Sequence, residues 1–251
     1  FGYLDFKATD SDLSISFDAD GDLGNNFNDI IIATLKNTKR SDLKRFNFNP
    51  SFDIPLPRII GTNFSDRLIG TVDNELIYGL LGYDRINGGA GDDKLYGGYD
   101  NDIIDGGDGN DLIYGEQGND SLNGDEGNDE LFGGSGDDIL LGGNGDDRLT
   151  GGEGKDTLDG GEGSDTYFVD DERDTVKDTG KEGVGIDTVY YRYVSNKYEL
   201  AEGIERVVLP TGKEYANVTI FGNQGNNNIT SGDGDDDVIA GAGDDIIYTA
   251  S

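Results

Sequence analysis

Residues 133–159 read GGSGDDILL GGNGDDRLT GGEGKDTLD, one nine-residue unit written three times without insertion. In each copy a glycine pair opens the unit, glycine returns at the fourth place, aspartate holds the sixth and leucine the eighth. A repeat of this kind decides a fold before any local propensity does. Working outward, the same frame runs from Gly61 to Phe168. The sixth residue is Asp in every unit except the second, where Glu75 stands. The eighth is always large and apolar: Leu68, Ile77, Ile86, Leu95, Ile104, Ile113, Leu122, Leu131, Leu140, Leu149, Leu158 and Tyr167. A second block, GNQGNNNIT SGDGDDDVI AGAGDDIIY, spans Gly222 to Tyr248.

Each unit divides into a glycine-rich turn, where positive φ and close backbone approach are tolerated, and a three-residue strand with one side chain inward. One buried leucine cannot hold a strand alone, whereas stacked coils turn these residues into a continuous core. Two units, about 18 residues, complete one coil with a turn at each edge. The expectation is an all-β parallel solenoid.

Stacking places the sixth-position carboxylates in two columns. One edge carries Asp66, Asp84, Asp102, Asp120, Asp138 and Asp156; the other carries Glu75, Asp93, Asp111, Asp129, Asp147 and Asp165. Coils about 4.8 Å apart set neighbouring charges against each other by roughly 1 kcal/mol in water, and roughly 3–4 at an effective dielectric of 20. Summed along both columns, the repulsion rivals the stability of a whole domain, so a counterion is required. With 52 acidic against 19 basic residues and a net charge of −33, the chain does not supply its own. There is no Cys and no His, so thiolate or imidazole sites for zinc and its neighbours are excluded. Calcium remains: a hard ion taking six to eight oxygens from carboxylates and backbone carbonyls.

The G-G-x-G-x-D-x-(large apolar)-x unit resembles the calcium-binding nonapeptide of the repeats-in-toxin (RTX) family, itself a known β-helix repeat. That resemblance implies a right-handed parallel β-roll, secreted by bacteria through the type I route, which folds on meeting extracellular calcium. It implies ligands at the sixth-position residues above, and at Asp236 and Asp245 in the second block. Carbonyls assist from first positions (Gly88, Gly97, Gly106, Gly115, Gly124, Gly133, Gly142, Gly151, Gly160) and third positions (Ala90, Tyr99, Asp108, Gln117, Glu126, Ser135, Asn144, Glu153, Glu162). Fourth positions add Gly91, Gly109, Gly118, Gly127, Gly136, Gly145, Gly154 and Gly163. The whole array would take roughly eight to twelve ions. Glu75 and Asn227 are weaker candidates, and Phe64, Asp73 and Asp100 displace the fourth-position glycine. The first two units therefore read as weak sites or a cap.

Residues 1–60 leave the frame and form a small N-terminal β segment. Leu13, Ile15 and Phe17 alternate with polar neighbours as a half-buried strand, and Ile30–Leu35 is another. Between them Asp18, Asp20, Asp22 and Asp29 resemble an EF-hand loop, except that Leu23 stands where its glycine belongs and Gly24 comes one place late. A plain acidic hairpin turn is the alternative. Lys36, Lys39, Arg40, Lys44 and Arg45 form either a solvated loop or a dock for an acidic face of another copy or domain. Prolines 50, 55 and 57 mark the link into the solenoid.

Residues 169–221 exchange glycine for β-branched and aromatic residues and read as wider coils of the same solenoid with less calcium. Tyr190, Tyr191, Tyr193 and Tyr198 are either core and rim packing or a sugar-binding group. Residues 222–251 resume the repeat and stop with Asp236 lacking a carboxylate neighbour on either side.

The chain shows no H-E-x-x-H helix, no Ser-His pair and no cofactor fingerprint. Most carboxylates are accounted for by repeat position, so the expectation is a non-catalytic protein. An acidic surface repels nucleic acid and anionic lipid, and the longest apolar run is far too short to span a bilayer. Three roles fit: a structural component of a bacterial exterior (a surface layer, sheath or fibre) that assembles head to tail, the repeat module of a larger cytolysin, serralysin-type protease or alginate epimerase, and a carbohydrate- or receptor-binding module.

Overall fold

A computed structural model describes residues 56–180, 185–192, 195–210 and 217–249, together with the backbone of three strands nearer the N-terminus. The chain divides into two units, Phe1–Pro55 and Leu56–Ser251. In the first, β1 (Tyr3–Ala8), β2 (Asp12–Asp18) and β3 (Ile30–Lys36) form an antiparallel sheet in that order, with a register shift between Ile15 and Ser16. Strand β2 falls where hydrophobic alternation places one, and β3 covers the Ile30–Leu35 stretch. Strand β1 was not foreseen. Asp18, the first residue of the proposed EF-hand-like loop, ends β2; Asp20, Asp22 and Asp29, and Lys39, Arg40, Lys44 and Arg45, lie outside the described residues.

The second unit is the expected parallel solenoid, and no helix occurs among the described residues. Its first strand, β4 (Arg58–Ile60), precedes the first nine-residue cut and pairs with β6 (Leu76–Leu81). Even-numbered strands from β4 to β24 (Ile246–Tyr248) stack into one eleven-stranded sheet. Odd-numbered strands from β5 (Arg67–Ile69) to β17 (Thr175–Lys177) form the opposite, seven-stranded face. The partner of Leu112 is Glu130 and that of Ser121 is Ile139, so one coil is two repeats.

The strands are longer than expected. Over the regular block each has six residues, as in β8 (Lys94–Tyr99), and runs from the seventh position of one repeat to the third of the next. The glycine pair thus lies within the strand, and the turn is confined to positions four to six. Inside, the eighth-position side chains from Ile77 to Tyr167 are 0–2% exposed. First-position glycines also face inward, and only glycine fits there. A Cβ on Gly133 would collide with the Asp138 carboxylate and the Gly151 carbonyl.

The two flat faces carry different ladders at the ninth position. On the even face Tyr78, Tyr96, Tyr114 and Phe132 stack at centroid spacings of 4.8, 5.0 and 4.9 Å. On the odd face the Asn87 and Asn123 amides donate to Asp105 from either side, at 3.1 and 3.3 Å. Beyond Phe168 some coils are wider: Thr166 pairs with Thr188 and Arg206 with Asn228, each 22 residues on, while Thr188 pairs with Arg206, 18 on. The odd face then restarts as a separate sheet of β19 (Lys197–Glu199), β21 (Thr219–Phe221) and β23 (Asp237–Ile239).

Candidate metal-binding edges

The sixth-position residue ends each turn and turns its side chain back into the solenoid. Asp84, Asp93, Asp102, Asp111, Asp120, Asp129, Asp138, Asp147, Asp156 and Asp165 are all at most 2% exposed. Each carboxylate divides its work. Its Oδ1 accepts the backbone N–H of the sixth residue one coil earlier, at 2.7 Å from Asp111 to Asp129 and 2.8 Å from Asp138 to Asp156. The other oxygen, Oδ2, is buried without a hydrogen-bond partner in all ten, and also in Asp236. An orphaned buried carboxylate oxygen is costly, and here it recurs in ten consecutive repeats.

Burial raises these acids from 3.8 to about 6 for Asp93, Asp120, Asp129, Asp138 and Asp165. Asp102, Asp111, Asp147 and Asp156 are raised to about 7. In all nine, burial outweighs the opposing backbone N–H bond, and neighbouring carboxylates push the same way. The columns are therefore poised to take up positive charge, as protons or as metal.

Among the described residues no three acidic side chains converge on one point, so a cation held here must draw on backbone carbonyls as well. The first-position carbonyl of the next coil lies on the same side as Oδ2: a Cβ on Gly88 would meet both Asp93 Oδ2 and the Gly106 carbonyl. Fourth-position glycines from Gly109 to Gly163 hold φ between 131° and 145°. The N–H groups of those from Gly109 to Gly145 donate to third-position carbonyls one coil on, as Gly127 does to Asn144 at 2.8 Å. Those third-position carbonyls already carry one hydrogen bond. An all-oxygen set of carboxylate and carbonyl groups suits calcium.

Three candidate residues differ. Asp66 Oδ2 takes the Thr62 N–H at 2.6 Å, and Glu75 Oε2 takes the Thr71 N–H at 2.8 Å. Asn227 accepts the Asn223 N–H at 2.9 Å and donates its amide to the Ile204 carbonyl and Asn223 Oδ1, at 3.3 and 2.8 Å. Asp245 accepts from Asn227 N–H at 2.8 Å.

Sequence reasoning missed three acids in the spacer that continue the columns. Asp174 accepts from Asp156 N–H at 3.0 Å, Asp187 from Asp165 N–H at 2.6 Å, and Glu205 from Asp187 N–H at 2.9 Å. The signal was there in Asp174-Thr-Val and Asp187-Thr-Val, the tail of the repeat without its glycines. Fifth-position Asn and Asp form a further unforeseen ladder, as when Asn110 Oδ1 accepts the Asn128 N–H at 2.9 Å. Of the tyrosine group, Tyr198 is 2% exposed and Tyr191 tilts onto it at 4.6 Å, while Tyr190 stacks on Phe168 at 5.4 Å. Tyr193 lies outside the described residues.

The family model for the RTX calcium-binding nonapeptide repeat matches the chain in overlapping copies that together cover residues 58–176, and again at 219–249, more than half its length. No curated protein matches the chain.

Proposed function

The chain belongs to the RTX calcium-binding nonapeptide-repeat family, and on that premise we propose that it is a non-catalytic module whose acidic columns fold on extracellular calcium into a rigid structural rod. RTX repeats bind calcium in general, and RTX proteins are typically secreted by bacteria. The observation that carries the reading is the set of eleven Oδ2 atoms buried without a partner. Asp84 to Asp165 and Asp236 would hold the ions, with first-position carbonyls completing the oxygen set. Calcium supplies charge neutralisation and cross-linking between coils. The chain's own residues do the rest: Oδ1 fixes each carboxylate to the coil before it, and inward glycines leave room beside Oδ2. Export before folding follows, because columns without calcium repel in a calcium-poor cytoplasm. Thermal unfolding in calcium and in magnesium tests this. A melting temperature raised strongly by calcium and little by magnesium is expected, and indifference to calcium would overturn it.

Within that role the reading favoured is a component of the bacterial surface that stacks end on end. Ile246, Ile247 and Tyr248 of β24 are 52%, 45% and 55% exposed. A further coil, from the same polypeptide or a second copy, would cover them. Light scattering in calcium and then chelator separates these: calcium-dependent growth of particles supports assembly, and a monomer throughout leaves a module of a larger protein.

A further inference from the structure

The repeats fall into two classes that their sixth residues do not reveal. In every repeat whose Oδ2 is orphaned, the second position has positive φ. Glycine usually supplies it, from 95° at Gly161 to 117° at Gly98, but Leu80, Glu116 and Asp125 adopt 87°, 77° and 78°. Gly232, ahead of Asp236, has 80°. A side chain held there is strained, so the conformation is imposed for a reason. Thr62, Thr71 and Asn223, at the same position, do not adopt it.

The consequence is visible at the carboxylate. In those three repeats the second-position N–H points at the sixth side chain and satisfies the oxygen orphaned elsewhere. The second-position side chain then locks the turn. Phe64 and Asp73 N–H groups donate to the Thr62 and Thr71 hydroxyls at 3.2 Å, and the Gly225 N–H donates to Asn223 Oδ1 at 2.9 Å. The Thr62 hydroxyl also donates to Asp66 Oδ2 at 2.9 Å and the Thr71 hydroxyl to Glu75 at 2.5 Å. Asn223 anchors the turn to the spacer through the Ala201 and Ile204 carbonyls, at 2.7 and 2.9 Å.

We propose that the second-position backbone sorts the repeats: positive φ turns the N–H away and leaves Oδ2 for a divalent cation, whereas the closed turn replaces the cation with the chain's own N–H. Repeats 61–69, 70–78 and 222–230 are then calcium-independent coils. They sit at the start of the array and at the junction where the second block begins. The inference rests on the calcium reading of the edges and adds which repeats are exempt from it.

Native mass spectrometry at saturating calcium, with circular dichroism as a check on folding, counts the ions. Asn227→Asp alone restores the carboxylate behind a closed turn and gains no ion. Asn223→Gly with Asn227→Asp opens the turn and gains one. Glu75→Asp against the triple change Thr71→Gly, Asp73→Gly, Glu75→Asp repeats the comparison at the other end, should the first pair fail to fold. A gained ion with Asn227→Asp or Glu75→Asp alone, or none with the opened turns, overturns the proposal. A wild-type chain that binds no calcium would instead sink the calcium reading itself.

Discussion

Replacing Asp129 by Ala removes both oxygens from the interior, and different neighbours feel the loss. Without Oδ1 the buried Asp111 N–H loses its acceptor, a cost of about 1–3 kcal/mol visible in denaturation at saturating calcium. Asp129→Asn keeps an acceptor for that N–H and forfeits the charge, so its defect is expected mainly in calcium affinity, as a rightward shift of a calcium titration. Equal effects of the two changes on both readouts would contradict this division. The acids also fix a pH response. Their folded values of about 6, as for Asp129, or about 7, as for Asp102, lie above the unfolded value of 3.8, so the folded chain binds protons more tightly. Their contribution in calcium-free solution is thus fully present below about pH 4 and is lost as pH rises through about 6–7. Calcium-free protein should show more β signal at about pH 5 than at about pH 8, and, because protons compete for the same carboxylates, the calcium needed to half-saturate the folded chain should rise as pH falls. A calcium-free chain that gains β structure with rising pH would refute the sign.

Among the elements, the ladders inside and outside the coils contribute unequally. Leu95 is 0% exposed, and Leu95→Ala is expected to cost about 2–5 kcal/mol. Tyr96 is half-buried between Tyr78 and Tyr114, and a double-mutant cycle with Tyr114 should return a coupling of about 0.5–1.5 kcal/mol. Coupling near zero would make the stack a by-product of register. The inner ladder was legible because one apolar residue recurs every nine, and the 18-residue coil followed from having two edges. The six-residue strands were not, since glycine pairs read as turn by propensity and only the pairing of neighbouring coils holds them in the ladder. The spacer strands at Thr188–Tyr191 and Thr219–Phe221 were legible from β-branched and aromatic content. Lys197–Glu199 was not, being a short polar segment whose single inward residue is Tyr198. At the candidate site the acids could be named from the repeat, but the division of labour between Oδ1 and Oδ2 depends on which N–H lies one coil away. The closing of Asp66 and Glu75 depends on φ at Thr62 and Thr71, which the one-dimensional pattern does not encode; hence the sequence flagged them only as atypical.

For the whole molecule, a net charge of −33 opposes any compact state, and the solenoid concentrates part of that charge in its interior. Withdrawing calcium at neutral pH should therefore expand the chain toward a radius of gyration of roughly 55 Å, the unfolded scale for its length, as measured by small-angle scattering. The most direct test is a crystal of the calcium-grown protein measured where calcium scatters anomalously. Peaks are predicted beside the Oδ2 atoms along both edges from Asp84 to Asp165, and none beside Asp66, Glu75 or Asn227. Stacked coils whose Oδ2 atoms have no such peaks beside them would contradict the account.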